Sequence, residues 1–302
     1  MSKQQGWTSP RTPVQSDVIA GVACGAGAAV FWAVGFVAAR HAITSGFQPT
    51  DIILHRFLWA GLAFLPLVAH RGLADLGGVG WRNGLLLTLA GGPLFAFFSF
   101  SGFLFVPLAH GGVIQPSFAA IGGLVMATLL LKEKLPAWRA AGALIIVAGL
   151  VIIGGEALMS IGTHGLIGDL SFALAGLMFA SFATLLRYWR VPPLRAVAVT
   201  SVVALIGLPV YWLAFGFERI IALGIGENLL QLVAQGVLAG GGATYLFTRA
   251  VVLLGAGRGA VFPSLVPGFT LLIGALTLGE LPSLAQLAGF ALVMIGFWLT
   301  QK

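Results

Sequence analysis

The chain is 302 residues long; 59% of them belong to the apolar AVILMFWYC set and 8% are Asp, Glu, Lys or Arg. A soluble domain carries about 25% charged residues, so in water this chain would expose large apolar patches, and its mean hydropathy of +1.01 agrees with an all-α integral membrane protein. The single cysteine, Cys24, excludes a disulfide framework, and no two histidines stand four residues apart, so neither a metal nor a cofactor is expected. The net charge of +7 sits between apolar runs, where it reads as membrane topology and not as a nucleic-acid surface.

Residues 1–17 contain Lys3, Pro10, Arg11 and Pro13 but no apolar run, and read as a mobile cytoplasmic tail. The run that follows is longer than a signal-peptide core, so no cleavage is expected. About 20 apolar residues cross the hydrocarbon core. Ten such segments are predicted, at 18–38, 50–69, 83–106, 110–131, 136–154, 166–186, 196–215, 228–253, 258–279 and 284–300. Forty-three glycines suit close packing of helices in lipid.

With ten spans both termini share a side. That side holds twelve basic residues: Lys3, Arg11, Arg71, Arg82, Lys132, Lys134, Arg139, Arg187, Arg190, Arg195, Arg258 and Lys302. The other side holds Arg40 and Arg219, while Arg56 and Arg249 fall inside apolar segments. Twelve against two is a positive-inside asymmetry that places both termini in the cytoplasm.

Sliding the chain against itself by 147 residues superposes Gly21 on Gly168, Arg40 on Arg187, Pro116 on Pro263, Ser117 on Ser264, Glu133 on Glu280, Gly142 on Gly289 and Gly149 on Gly296. Pro, Glu and Arg are scarce here, so the matches mark a duplication, of repeats 18–154 and 166–300. Five helices per repeat is an odd number, so the halves enter the membrane in opposite senses. Inverted repeats around a shared site are the architecture of secondary transporters. No G-x-x-x-x-G-K-[ST] is present to bind ATP.

Each half thus carries Pro, then Glu 17 residues on, then Gly 9 and 16 residues after that; Trp32, Arg40, Pro49 and Arg56 accompany the first set. This pattern resembles the EamA-type branch of the drug/metabolite transporter superfamily over nearly all of 18–300. Val203 stands where Arg56 is, and Phe179 where Trp32 is, so symmetric arginines are not part of this chain's pattern. The resemblance implies ten helices in two inverted five-helix repeats around a central cavity. It also implies movement of small metabolites such as amino acids, mostly outward, across a bacterial inner membrane.

Matched interruptions point to the site of such a protein. The third segment contains Gly91-Gly92-Pro93 and the eighth Gly240-Gly241-Gly242; the fourth contains Pro116, and the ninth Pro263 with Pro267 a turn later. These are read as helix breaks and gates, because proline removes a helix donor and frees a carbonyl. The polar and aromatic groups near them are the candidate cavity lining: Trp32, Phe36, Phe95, Ser99, Gln115, Ser117, Phe179, Ser181, Thr244, Tyr245 and Ser264. Rings with hydroxyl and amide tips suit an amino acid with an apolar side chain.

The ionisable groups are read mostly as structural. Asp51, His55 and Arg56 at the outer end of the second helix are read as a mutual cluster anchoring it at the interface, with a substrate or gate site as the alternative. Glu133 and Glu280 cap the helix that follows each, Asp169 opens the sixth helix, and Arg249 snorkels, though it could hold a substrate carboxylate. With no acid confidently at mid-membrane, facilitated or loosely coupled transport is expected over tight proton antiport. The rivals are a multidrug or organic-cation exporter, which wants a carboxylate in the first helix, and a non-transporting structural or receptor-like subunit. An enzyme is not expected, since no catalytic constellation stands at one depth. The expected partners are a small solute and the lipid bilayer, with no nucleic acid and no obligate protein partner.

Overall fold

The computed structural model describes residues 15–105, 108–154, 165–259, 261–278 and 283–301. Residues 1–14 of the tail, Glu280 and the side chain of Arg40 lie outside the described residues.

Among the described residues, ten apolar helices carry the fold. They are α1 (Gln15–Thr44), α2 (Pro49–Arg71), α3 (Trp81–Ser101), α4 (Leu108–Leu131), α5 (Ala137–Gly154), α6 (Leu166–Tyr188), α7 (Pro193–Phe215), α8 (Gly224–Leu254), α9 (Ala256–Leu278) and α10 (Leu284–Gln301). Nine of them are long and apolar enough to cross a membrane, and α5 is the short tenth. The first described helix begins at Gln15, three residues before the predicted start of the first span.

Local chemistry sets the ends. Pro49 opens α2 at its first turn, where its missing N–H costs nothing, and the Gln48 N–H donates to Asp51 Oδ2 at 2.8 Å. Ser283 and Gln286 cap α10 reciprocally, each backbone N–H donating to the other's side chain. At the end of α4, Lys132 takes φ +54° and the Glu133 N–H returns to the Ala127 carbonyl at 3.1 Å.

The contacts obey the repeat. Helix α4 packs on α6 as α9 packs on α1; α1 packs on α8 as α6 packs on α3; and α2 packs on α8 as α7 packs on α3. Helices α5 and α10 meet each other across the pseudo-axis. There the repeated glycines cross over: a Cβ on Gly142 would lie 2.7 Å from the Gly296 carbonyl oxygen, and one on Gly149 2.6 Å from that of Gly289. This pairing is antiparallel, as opposed insertion of the two halves requires. Outward-facing leucines are bare, with Leu213 81% and Leu276 88% exposed, which is stable only against lipid.

The interruptions differ from the expectation. Helix α3 is broken at Gly92, where a Cβ would overlap the Thr88 carbonyl oxygen, and restarts with Pro93. Helix α9 is broken by a 3-10 turn at Phe262–Leu265 that contains Pro263. Helix α4, by contrast, runs through Pro116 without interruption. Nor is Gly240-Gly241-Gly242 a break: it ends an 11-residue π-helix, Leu232–Gly242, inside a continuous α8. The wider winding absorbs the glycines without parting the chain. An unpredicted bend at Leu205–Ile206 divides α7.

Candidate functional site

An open cavity, with about 610 Å³ of empty space counted out through its mouth, lies among α1, α2, α3, α4, α6 and α9. Of the residues predicted to form the site, Trp32, Phe36, Phe95, Ser99, Gln115, Pro116, Phe179, Pro263 and Pro267 line it. Most come from helix portions remote from the termini, so the cavity sits toward the membrane face opposite them.

Phe179 is the hub of the aromatic wall. Its ring centroid is 4.7 Å from Phe247, 5.3 Å from Trp32 and 5.4 Å from Phe95, with Trp32 edge-on. Such offset and edge-to-face contacts exploit the ring quadrupoles. Trp32 and Phe179 are repeat mates and meet across the pseudo-axis. Phe247 and Phe182 continue the cluster toward the terminal face, closing the cavity floor.

The polar part of the lining is small. Ser99 Oγ donates to Gln115 Oε1 at 2.7 Å, linking α3 to α4. Trp32 Nε1 donates to the Ala239 carbonyl at 3.2 Å, and Arg56 Nη2 donates to the same oxygen at 3.3 Å. That carbonyl is available because of the π-helix. Its last wide turn runs from the Ala243 N–H to the Leu238 carbonyl, and ordinary winding resumes beyond it, so the change of register passes over the carbonyl of Ala239. π-segments frequently mark functional sites for this reason.

Arg56 corrects the expected charge cluster. It turns into the cavity, its guanidinium carbon 5.9 Å from the Phe100 ring centroid, while its neighbours point elsewhere. Asp51, with no exposed surface, accepts from Tyr211 Oη at 2.6 Å and pairs with Arg219 at 3.1 Å. Buried His55 meets Asn228 Oδ1 at 3.1 Å and accepts on Nδ1 from Trp59 Nε1 at 2.9 Å. The cluster separates because α2 residues one position apart face different neighbours, 100° around the helix.

Other predicted residues do not reach the cavity. Ser117 is buried beside it, and Ser264 Oγ donates to the Val261 carbonyl at 2.6 Å, closing the turn in α9. Ser181 Oγ donates to the Leu177 carbonyl at 2.9 Å and lies against Met126. Thr244 and Tyr245 are half-buried on α8, outside the lining, and Arg249 is exposed. Gly91 receives the Phe182 ring, and Gly240 seats α8 on the Arg56 backbone. Gly241 and Gly242 lie against Phe64 and Phe31 respectively, and Pro93 borders a separate lipid-side groove. Glu133, expected to cap α5, has its carboxylate beside Gly255 and Gly257 at the start of α9, in the other half, where it attracts Arg187 and Arg258.

Sequence reasoning missed Ala96, Phe100, Ala119 and Val266 in the lining. A signal existed: Ala96 and Phe100 lie one turn apart, as do Gln115 and Ala119. Among the described residues no group of three or more metal-ligating side chains occurs.

The EamA-like transporter family model matches twice, over 19–155 and 166–301. The chain belongs to the EamA-like transporter family. A solved structure described as "Crystal structure of protein" superposes with a TM-score of 0.73 at 22% identity, covering 94% of this chain and 96% of its own. No curated protein matches the sequence. The family and the ten-helix, two-repeat fold make this EamA chain a multi-pass membrane transporter of small solutes.

Proposed function

We propose that this EamA-like chain exports small neutral and aromatic amino acids across the bacterial cytoplasmic membrane, with both termini in the cytoplasm. Transport proceeds by alternating access around the cavity, the interrupted parts of α3 and α9 and the π-wound part of α8 serving as gates. The observation that carries this reading is the cavity itself: five aromatic rings, Trp32, Phe36, Phe95, Phe100 and Phe179, line it beside a small polar group of Ser99 and Gln115. An apolar side chain fits the rings, and the polar groups of an amino acid meet the hydroxyl and amide.

The described acids support facilitated rather than tightly proton-coupled movement. Asp51 is held by Tyr211 and Arg219, and Asp169 stands in the first turn of α6. The organic-cation alternative is disfavoured by the lining, whose one charged residue among the described residues is Arg56.

Purified protein in liposomes tests the reading through counterflow of labelled phenylalanine, leucine, alanine and an organic cation. Protein-dependent exchange of the amino acids supports it; exchange of the cation alone overturns it. An imposed pH gradient that concentrates an amino acid against its own gradient would overturn the coupling part.

A further inference from the structure

Among the described residues, one guanidinium stands on the wall of an otherwise uncharged cavity. Arg56 lies seven residues into α2 from Pro49, which at 1.5 Å per residue is about 10 Å below the helix start. A cation at that depth is costly, and such residues mark solute paths. The protein does not neutralise this one: among the described residues no carboxylate reaches Arg56, and no acid lines the cavity. Asp51, the acid nearest in sequence, is fully engaged on another face of α2. The repeat offers no second cation, because the matching position is Val203.

Arg56 is nonetheless held in place. Among the described residues it donates one hydrogen bond, to the Ala239 carbonyl at 3.3 Å, and rests near the Phe100 ring. Trp32 shares that carbonyl, so the guanidinium and the indole are fixed to one point of α8. A guanidinium has five N–H donors in a rigid fork, and a single bond to protein leaves the fork able to take a planar, two-oxygen acceptor.

We propose that Arg56 is the anchor for a carboxylate, and that the cavity therefore selects organic acids and amino acids over the same molecules lacking that group. The carboxylate takes the fork's remaining donors, and the apolar part lies against Trp32, Phe95 and Phe179. An ammonium group, where present, is met by lone pairs of Gln115 Oε1 and Ser99 Oγ. The inference rests on the reading of this cavity as the solute site; it adds which charge the solute carries.

The test uses three compounds with one ring: phenylalanine, its decarboxylated amine phenethylamine, and its deaminated acid 3-phenylpropionate. Each is labelled in turn and followed in counterflow with the full chain in liposomes, protein-free liposomes giving the passive leak. The two carboxylates are expected to exchange with at least about tenfold lower half-saturation than the amine, the scale of a lost charge-assisted hydrogen-bond pair. Arg56→Gln is expected to abolish that preference, and Arg56→Lys to keep part of it, since an ammonium supplies charge without the fork. Should Arg56→Gln fail to fold, the wild-type ratio and Arg56→Lys still decide. An amine exchanged as well as the acids overturns the anchor and leaves amino-acid transport standing. Exchange of 3-phenylpropionate without phenylalanine overturns the amino-acid reading and leaves the anchor. Protein-dependent exchange of none of the three overturns both.

Discussion

Asp51 and Arg56 stand five residues apart on one helix and have opposite fates. Asp51 has no exposed surface and is satisfied by Tyr211 Oη at 2.6 Å and Arg219 at 3.1 Å, which ties the start of α2 to the second half. Removing one partner of a buried charged group leaves part of its desolvation cost unmet, about 1–3 kcal/mol. Tyr211→Phe should therefore lower the melting temperature in detergent; an unchanged value would show that the hydroxyl contributes nothing to holding the halves. Trp32→Phe keeps a ring on the wall but removes the donor to Ala239. It should raise the half-saturation for an aromatic amino acid by roughly fivefold, about 1 kcal/mol, with little change in melting temperature.

The helices show two uses of glycine. Gly149 and Gly289 bring the backbones of α5 and α10 so close that a Cβ on either meets the other's carbonyl at 2.6–2.7 Å. Gly149→Ala should cost about 1–3 kcal/mol through overpacking, measured as a lower denaturation midpoint in mixed micelles. Gly241 has room by comparison, its added Cβ lying 3.5 Å from the nearest atom, the Gly236 carbonyl oxygen. It belongs to the π-wound stretch that supplies the Ala239 carbonyl to Trp32 and Arg56. Gly241→Ala favours tighter winding by up to about 1 kcal/mol. Its expected effect is slower counterflow with an unchanged melting temperature, and equal counterflow would separate the π-winding from transport.

The halves are related in sequence but not identical in shape. Helix α4 is continuous at Pro116 while its mate α9 is broken at Pro263; α3 is parted at Gly92 while its mate α8 is continuous and π-wound. If each half can adopt the other's shape, exchanging them would carry the cavity to the opposite membrane face, which is alternating access in its simplest form. The state seen here has its aromatic floor, Phe182 and Phe247, toward the terminal face. Ser99→Cys in a Cys24→Ser background should accordingly react with an impermeant thiol reagent added from the face opposite the termini, and more slowly once solute is bound. Labelling from the terminal side alone would reverse this orientation.

Much of this was legible in the sequence because it rests on quantities that add along the chain. Apolar length fixed the spans, scarce Pro, Glu and Gly at one offset revealed the repeat, and Trp32, Phe95, Ser99, Gln115 and Phe179 stood out as membrane-depth aromatics and polar groups that converge on one cavity. What the sequence could not decide depends on direction around a helix and on partners far along the chain. Arg56 resembled one more member of an interfacial cluster until the rotation of α2 turned it inward and Tyr211 and Arg219, some 160 residues away, claimed Asp51. Glu133 resembled a cap for the next helix until folding laid it beside Gly255. The glycine triplet resembled a break, and the structure made it the end of a wide turn. Low charge determined that this chain lives in lipid; only the packing of its helices decided which single charge was left facing the cavity.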